Sequence, residues 1–281
     1  MNMARIWVLL FIAGLCPAQD SPTAAGPVTA DAIMARVAVN QDSSELLRKQ
    51  YVYKQHIHIV THKPRGRLMR EETADYDVVP TPEGTEKQLK QLTGRYWFKG
   101  KYKEFDGEPV PDDDSVDAGL IQDFRDSYAD AKSKDGLARN LFPLTTAQQA
   151  DYDFKLLGRE VEQGRDVYHI AFTPKDKDEF TWAGEAYIDA TDFQPLRVFT
   201  RMSRPIPLMV RTLLGTNLPG LGFNVVYKRQ PDGVWFPATL GTEFRIRVLF
   251  FLNRDVSISL ENSSFEHTHV QTRIIVLEPV H

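Results

Sequence analysis

Two strand-like runs closed by a polar turn, residues 180–188 and 196–202, constrain what this chain can fold into more than any other feature. Between them stand Asp189, Ala190, Thr191, Asp192, Phe193, Gln194 and Pro195. Turn formers bounded by alternating aromatic and β-branched residues predict an antiparallel hairpin. The same signature recurs on both sides. Residues 51–60 alternate, Lys63-Pro64-Arg65-Gly66 makes a turn, and 67–79 return as a charged strand. Residues 94–105 read as one further strand ending at Asp106-Gly107, and 154–161 pair with 166–172 across Gln163-Gly164. Residues 225–229 pair with 235–240 across Pro231-Asp232-Gly233, and 242–252, 255–260 and 265–277 complete the series.

Helical spacing appears in two places. Ile33, Val37, Leu46 and Leu47 predict two helical pieces near the start, interrupted around Asn40-Gln41-Asp42. Thr29 or Asp31 would cap the first piece, and Ser43 or Ser44 the second. Leu120, Ile121, Phe124 and Tyr128 predict a mid-chain helix behind the acidic run Asp112-Asp113-Asp114, with a second helix over 145–150. The expected fold is mainly β with some helix (α+β): about ten antiparallel strands in one domain spanning 30–281. No linker or internal repeat divides it.

The N-terminus has the layout of a secretory signal. Arg5 is followed by an apolar run over 6–15, and the small residue Ala18 suits cleavage, so 1–18 is expected to be removed and 19–29 to form a flexible leader. The apolar run is about half the ~20 residues a membrane span needs. Lipid attachment at Cys16 is the weaker alternative, because Leu15 stands where a small residue is wanted. Cleavage removes the only cysteine and one basic residue, taking the net charge from −4 to −5. The mature chain then has no thiol for catalysis or metal binding, and no basic stripe for nucleic acid.

The pattern Gly184-x-x-Tyr187-Ile188-Asp189, followed by Pro195-x-Arg197, resembles the recurring hairpin of exported bacterial proteins related to the LolA/LolB lipoprotein carriers. The order of elements is similar to that family too. The resemblance implies a strongly curved sheet or unclosed barrel, with an N-terminal helix and a mid-chain helical block covering its concave face. It implies binding of an acyl-chain or other amphiphilic ligand, a lipid or lipidated protein, in a hydrophobic hollow. Location in the periplasm or cell envelope, with association to the outer membrane as an extension, follows from the same likeness. No cofactor and no enzymatic activity are implied.

Trp97, Phe98, Trp182, Tyr187 and Trp235 are the expected lining of the hollow, although a one-residue change of register would exchange the faces. Residues 205–223 carry about ten large apolar side chains and one charge, Arg211. Leu208, Met209, Leu213 and Leu214 there can form a core helix, a lid or a membrane-docking element. A membrane surface or membrane protein is therefore an alternative partner, in a sensor or interaction protein without a small ligand. A third reading rests on two His-x-His pairs, His56/His58 and His267/His269, each on one face of a strand and able to share a metal ion for hydrolysis. No Gly-x-Ser-x-Gly elbow or phosphate-binding loop is present.

Overall fold

A computed structural model describes residues 28–81, 84–107, 115–129, 142–176, 181–203, 221–248 and 252–268. They form one antiparallel sheet of eleven strands and three helices. Helix α1 (Ala30–Arg48) precedes β1 (Tyr51–His62), β2 (Leu68–Pro80), β3 (Thr85–Phe98) and β4 (Lys101–Asp106). Helices α2 (Val116–Ala129) and α3 (Thr146–Gln149) follow. The remaining strands are β5 (Tyr152–Glu162), β6 (Arg165–Pro174), β7 (Trp182–Asp189), β8 (Pro195–Met202), β9 (Gly222–Arg229), β10 (Trp235–Val248) and β11 (Leu252–His267).

The spatial order, β4-β3-β2-β1-β11-β10-β9-β8-β7-β6-β5, explains why the helical block sits in the middle of the chain. Strands β1 to β4 meander outward to one edge, and β5 to β11 start at the other edge and meander back. The connection from β4 to β5 must therefore cross the width of the sheet. It does so on the face that α1 also occupies, with α2 against β1 and β2 and α3 against α1 and β5. The edges β4 and β5 do not pair, so the sheet is open.

It is also curved. Flat strands four steps apart would lie about 19 Å from each other at ~4.8 Å per step. Yet the guanidinium of Arg165 on β6 stands 5.4 Å from the ring of Trp235 on β10, four strands away.

Four sequence expectations change. Residues 252–267 form a single strand, β11, where the sequence pattern separates 255–260 from 265–277. Residues 94–105 are two strands, because Lys99 (φ 46°) and Gly100 (φ 91°) both take the left-handed conformation of a tight hairpin turn. Residues 235–248 form one strand, continuous through Gly241. Helix α1 is unbroken, and its polar middle is satisfied by tertiary contacts. Asn40 donates to the carbonyls of Asp192 (2.9 Å) and Phe193 (3.2 Å), Gln41 bonds Gln194, and Asp42 accepts from Thr146 at 2.6 Å. Thr29 is the cap, accepting from the Ala32 N–H at 3.2 Å.

Candidate functional site

Residues paired across an antiparallel ladder share a face, so the registers divide the sheet into transverse rows. One row on the helix-covered face runs Leu92, Ala74, Ile57, Leu260, Leu240, Val225, Val198, Ala186, Ile170, Leu156, crossing ten strands without a polar side chain. From Leu92 to Ile170 every member is at most 3% exposed. Ile33, Met34 and Val37 of α1 join this core, as do Ile121 and Tyr128 of α2.

Polarity enters one row further along. Glu72, Ile59, Ile258 and Thr242 are successive ladder partners there, as are Thr200, Gly184, Phe172 and Phe154. The row beyond carries Tyr96, Arg70, Thr61, Val256 and Phe244. Above it α2 supplies the matching charges. Asp117 accepts from Arg254 Nε at 2.6 Å and Nη2 at 2.7 Å, and from Thr61 Oγ1 at 2.9 Å. Glu72 accepts from Arg70 Nε at 2.6 Å and Arg125 Nη1 at 2.8 Å. Arg70 also lies over the rings of Tyr96 and Phe105. Asp117, Ile121 and Arg125 recur every four residues, so one face of α2 is anchored by an ion pair at each end and an isoleucine between.

Among the described residues these three guanidinium groups and two carboxylates form ion pairs beside an apolar wall. Charges taken out of water are tolerated only when paired in good geometry. The interior is therefore amphiphilic. Its middle suits hydrocarbon, and its α2 end suits polar groups.

The opposite, open face carries exposed charges. His56 contacts Asp75 at 2.7 Å, and His58 contacts Glu71 at 2.8 Å. Partial burial works to raise the Glu71 carboxyl, but hydrogen bonds with His58 and Arg95 hold it below the ordinary range. A hollow of about 630 Å³ here is lined by Glu71, Thr73, Thr93, Gly94, Arg95, Glu104, Phe105 and Asp106. Further along, His169 bridges Glu160 and Glu185 at 2.8 Å each. The Tyr187 ring stacks on His169 (4.4 Å) and meets Arg197 at 4.0 Å.

The expected lining residues are thus split. Trp182, edge-on to Phe223 at 5.2 Å, packs against the core, and Trp235 belongs to it. Phe98 is half-buried near the β3–β4 turn, with Lys103 4.1 Å over its ring. Trp97 is on the open face with Tyr102 and Arg67, and Tyr187 is on the open face as well. Leu208, Met209, Arg211, Leu213 and Leu214 lie outside the described residues, as do His269 and the N-terminal segment 1–27.

Among the described histidines, His267 is not brought to His56 and His58. Strands β1 and β11 are neighbours, but His56 faces Glu261 and His58 faces Ser259, while His267 faces Tyr51 at the far end. His56 is five positions along β1 from Tyr51, about 17 Å of strand. Among the described residues no group of three or more His, Cys, Asp or Glu side chains is placed to hold a metal ion. No described helix is long and apolar enough to cross a membrane.

No family model matches the chain. No curated protein matches it either. Solved structures do. The chain is similar to a domain designated an outer membrane lipoprotein-sorting protein from Vibrio parahaemolyticus, at 14% identity and TM-score 0.38, over 85% of this chain and 95% of that one. It is similar to a DUF1329 family protein from Desulfovibrio piger at 12% identity and TM-score 0.37, over 87% and 95% of the two chains. A LolA superfamily protein from Nitrosomonas europaea matches at 12% identity and TM-score 0.35, over 89% and 99%. The family that the Gly184–Arg197 hairpin resembles is thus among the solved structures this chain is similar to.

Proposed function

We propose that the mature protein is an exported envelope protein that binds or carries an acyl-chain or other amphiphilic ligand, a lipid or a lipidated protein. The observation that carries this reading is the amphiphilic interior, a ten-strand apolar row lying beside buried Arg70 and Arg254 and half-buried Arg125. Apolar burial would supply affinity for a ligand lying along such a wall, and a few polar groups would fix its orientation. Trp182, Trp235 and, towards the β3–β4 edge, Phe98 are the aromatic residues of the expected set that stand on this face. The apolar residues Leu208, Met209, Leu213 and Leu214 lie in sequence between β8, which ends at Met202, and β9, which begins at Gly222, and are taken as the lid or membrane-docking residues of this reading. The segment from Arg5 to Ala18 supports export to the periplasm.

The test is equilibrium binding of a fluorescent fatty acid to residues 19–281. Saturable binding with a dissociation constant below about 10 µM, competed by unlabelled phospholipid and weakened by Leu213→Asp, is expected. Absence of saturable binding in that range would count against the carrier.

One observation favours a docking protein as the second reading. Val39 (63% exposed) and Leu46 (66% exposed) lie seven residues apart on the outward side of α1, with Leu47 beside them. A pull-down that recovers one protein partner in fixed ratio, lost on Leu46→Asp and unaffected by lipid, would favour that reading.

A further inference from the structure

Thr200 and Thr242 are buried, at 0% and 5% exposure, and neither side-chain hydroxyl has a hydrogen-bond partner in the protein. Both stand on the helix-covered face. Thr200 is paired with Phe223, and Phe223 precedes Asn224, the partner of Gly241, which precedes Thr242. The two threonines therefore flank Phe223 in one transverse row, immediately beside the apolar row of Val198, Val225 and Leu240. Two strand spacings put their backbones about 10 Å apart.

Stability does not account for these hydroxyls. Valine has the same shape, suits a strand equally well and brings no polar atom to desolvate. A buried hydroxyl left unpaired is a cost to the fold, whereas one that meets an acceptor on a ligand is a source of specificity. The neighbours limit which acceptor can reach them. The surrounding wall is apolar, so the acceptor must arrive attached to hydrocarbon. A hydroxyl donates well to a carbonyl oxygen, and two hydroxyls flanking one aromatic ring can serve two such oxygens or one in either of two positions.

Resting on the carrier reading above, we infer that Thr200 and Thr242 form a subsite that recognises the ester carbonyls of ligand acyl chains, each hydroxyl donating one hydrogen bond. Hydrocarbon lies along the apolar row and the ester linkage lies over the row that holds the threonines. The subsite distinguishes ester-linked from ether-linked chains of equal length.

The experiment incubates residues 19–281 with vesicles containing equal amounts of a diester phosphatidylcholine and its diether analogue with the same chains. The protein is then recovered and its lipid extracted and quantified. The wild-type protein should enrich the diester about tenfold, the effect of one or two net hydrogen bonds. The Thr200→Val/Thr242→Val double variant should take up both lipids equally, retain wild-type uptake of the diether, and melt at or above the wild-type temperature. The Thr200→Ser/Thr242→Ser variant keeps the donors and should keep the preference. Equal uptake of the two lipids by the wild type, or a preference that survives in the valine variant, would overturn the subsite and leave the carrier standing. A valine variant that melts well below wild type would show that the hydroxyls serve the fold. Uptake of neither lipid by the wild type removes the carrier reading and this inference with it.

Discussion

Replacing Asp117 with alanine tests whether α2 is held by buried charge. Asp117 accepts three hydrogen bonds, two from Arg254 at 2.6 and 2.7 Å and one from Thr61 at 2.9 Å. Both charged side chains are almost fully buried, at 7% exposure for Asp117 and 8% for Arg254. After the substitution Arg254 retains the Asn253 carbonyl at 2.9 Å as a partner but loses its counter-charge. Removing one member of a buried pair costs about 3–5 kcal/mol, most of it from the charge left behind. For a domain of this size that lowers the melting temperature by roughly 6–20 °C. Asp117→Asn keeps the shape and an acceptor and should fall between. Asp117→Leu combined with Arg254→Met removes both charges and should recover most of the loss, as buried pairs replaced by apolar residues often do. The exposed pair Arg159–Asp166 is the internal control, where Asp166→Ala should cost less than about 1 kcal/mol. Urea unfolding followed by circular dichroism gives the values, and hydrogen exchange should show the largest loss of protection in α2. A cost below about 1 kcal/mol for Asp117→Ala would refute the reasoning.

Other consequences are as direct. A Cβ on Gly184 would lie 2.0 Å from the carbonyl oxygen of Phe199 and 2.9 Å from Phe172, so Gly184→Ala should destabilise the β7–β8 hairpin by about 2–4 kcal/mol or abolish folding, measured by urea unfolding. Burial pushes the Asp189 carboxyl upward, but hydrogen bonds from Arg165 and the backbone of Asp192 and Thr191 outweigh it and hold it below the usual carboxylate range. A depressed carboxylate contributes stability that is present above its unfolded value and is lost as the pH falls through its folded value. Wild type should therefore lose more stability than Asp189→Asn below about pH 4, and parallel acid profiles would contradict this. Metal analysis of the purified mature protein should find no stoichiometric transition metal. A bound metal lost on His58→Ala would revive the hydrolase.

Local chemistry made much of the architecture legible in advance. Gln163-Gly164 and Pro231-Asp232-Gly233 mark hairpins because their backbones turn where left-handed or tight conformations are needed. Lys99-Gly100 carries the same signal, but the aromatic and basic alternation continues unbroken across it and reads as one strand. The hairpin residues that carry the family resemblance have structural employment. Gly184 permits close strand contact, Arg197 lies over Tyr187, and Asp189 caps the turn through the N–H groups of Thr191 and Asp192.

Faces were harder to read than strands. Trp97 and Phe98 are adjacent and so must point to opposite sides, and register irregularities after Tyr187 and Pro237 break the two-residue alternation. The buried charges were out of reach for another reason. Arg70 and Glu72 read as a charged strand, and their environment depends on Arg125, 53 residues beyond Glu72. Arg254 and Asp117 are 137 residues apart. Nothing local to either residue shows that it is paired.

Native mass spectrometry of the mature protein purified from its own host, with solvent extraction of what it carries, tests the amphiphile-carrier account most directly. The account predicts a mass above that of the bare chain by one lipid or acylated species, released on extraction and poorly retained by Leu213→Asp. A mass equal to the bare chain, with no lipid in the extract, would contradict it.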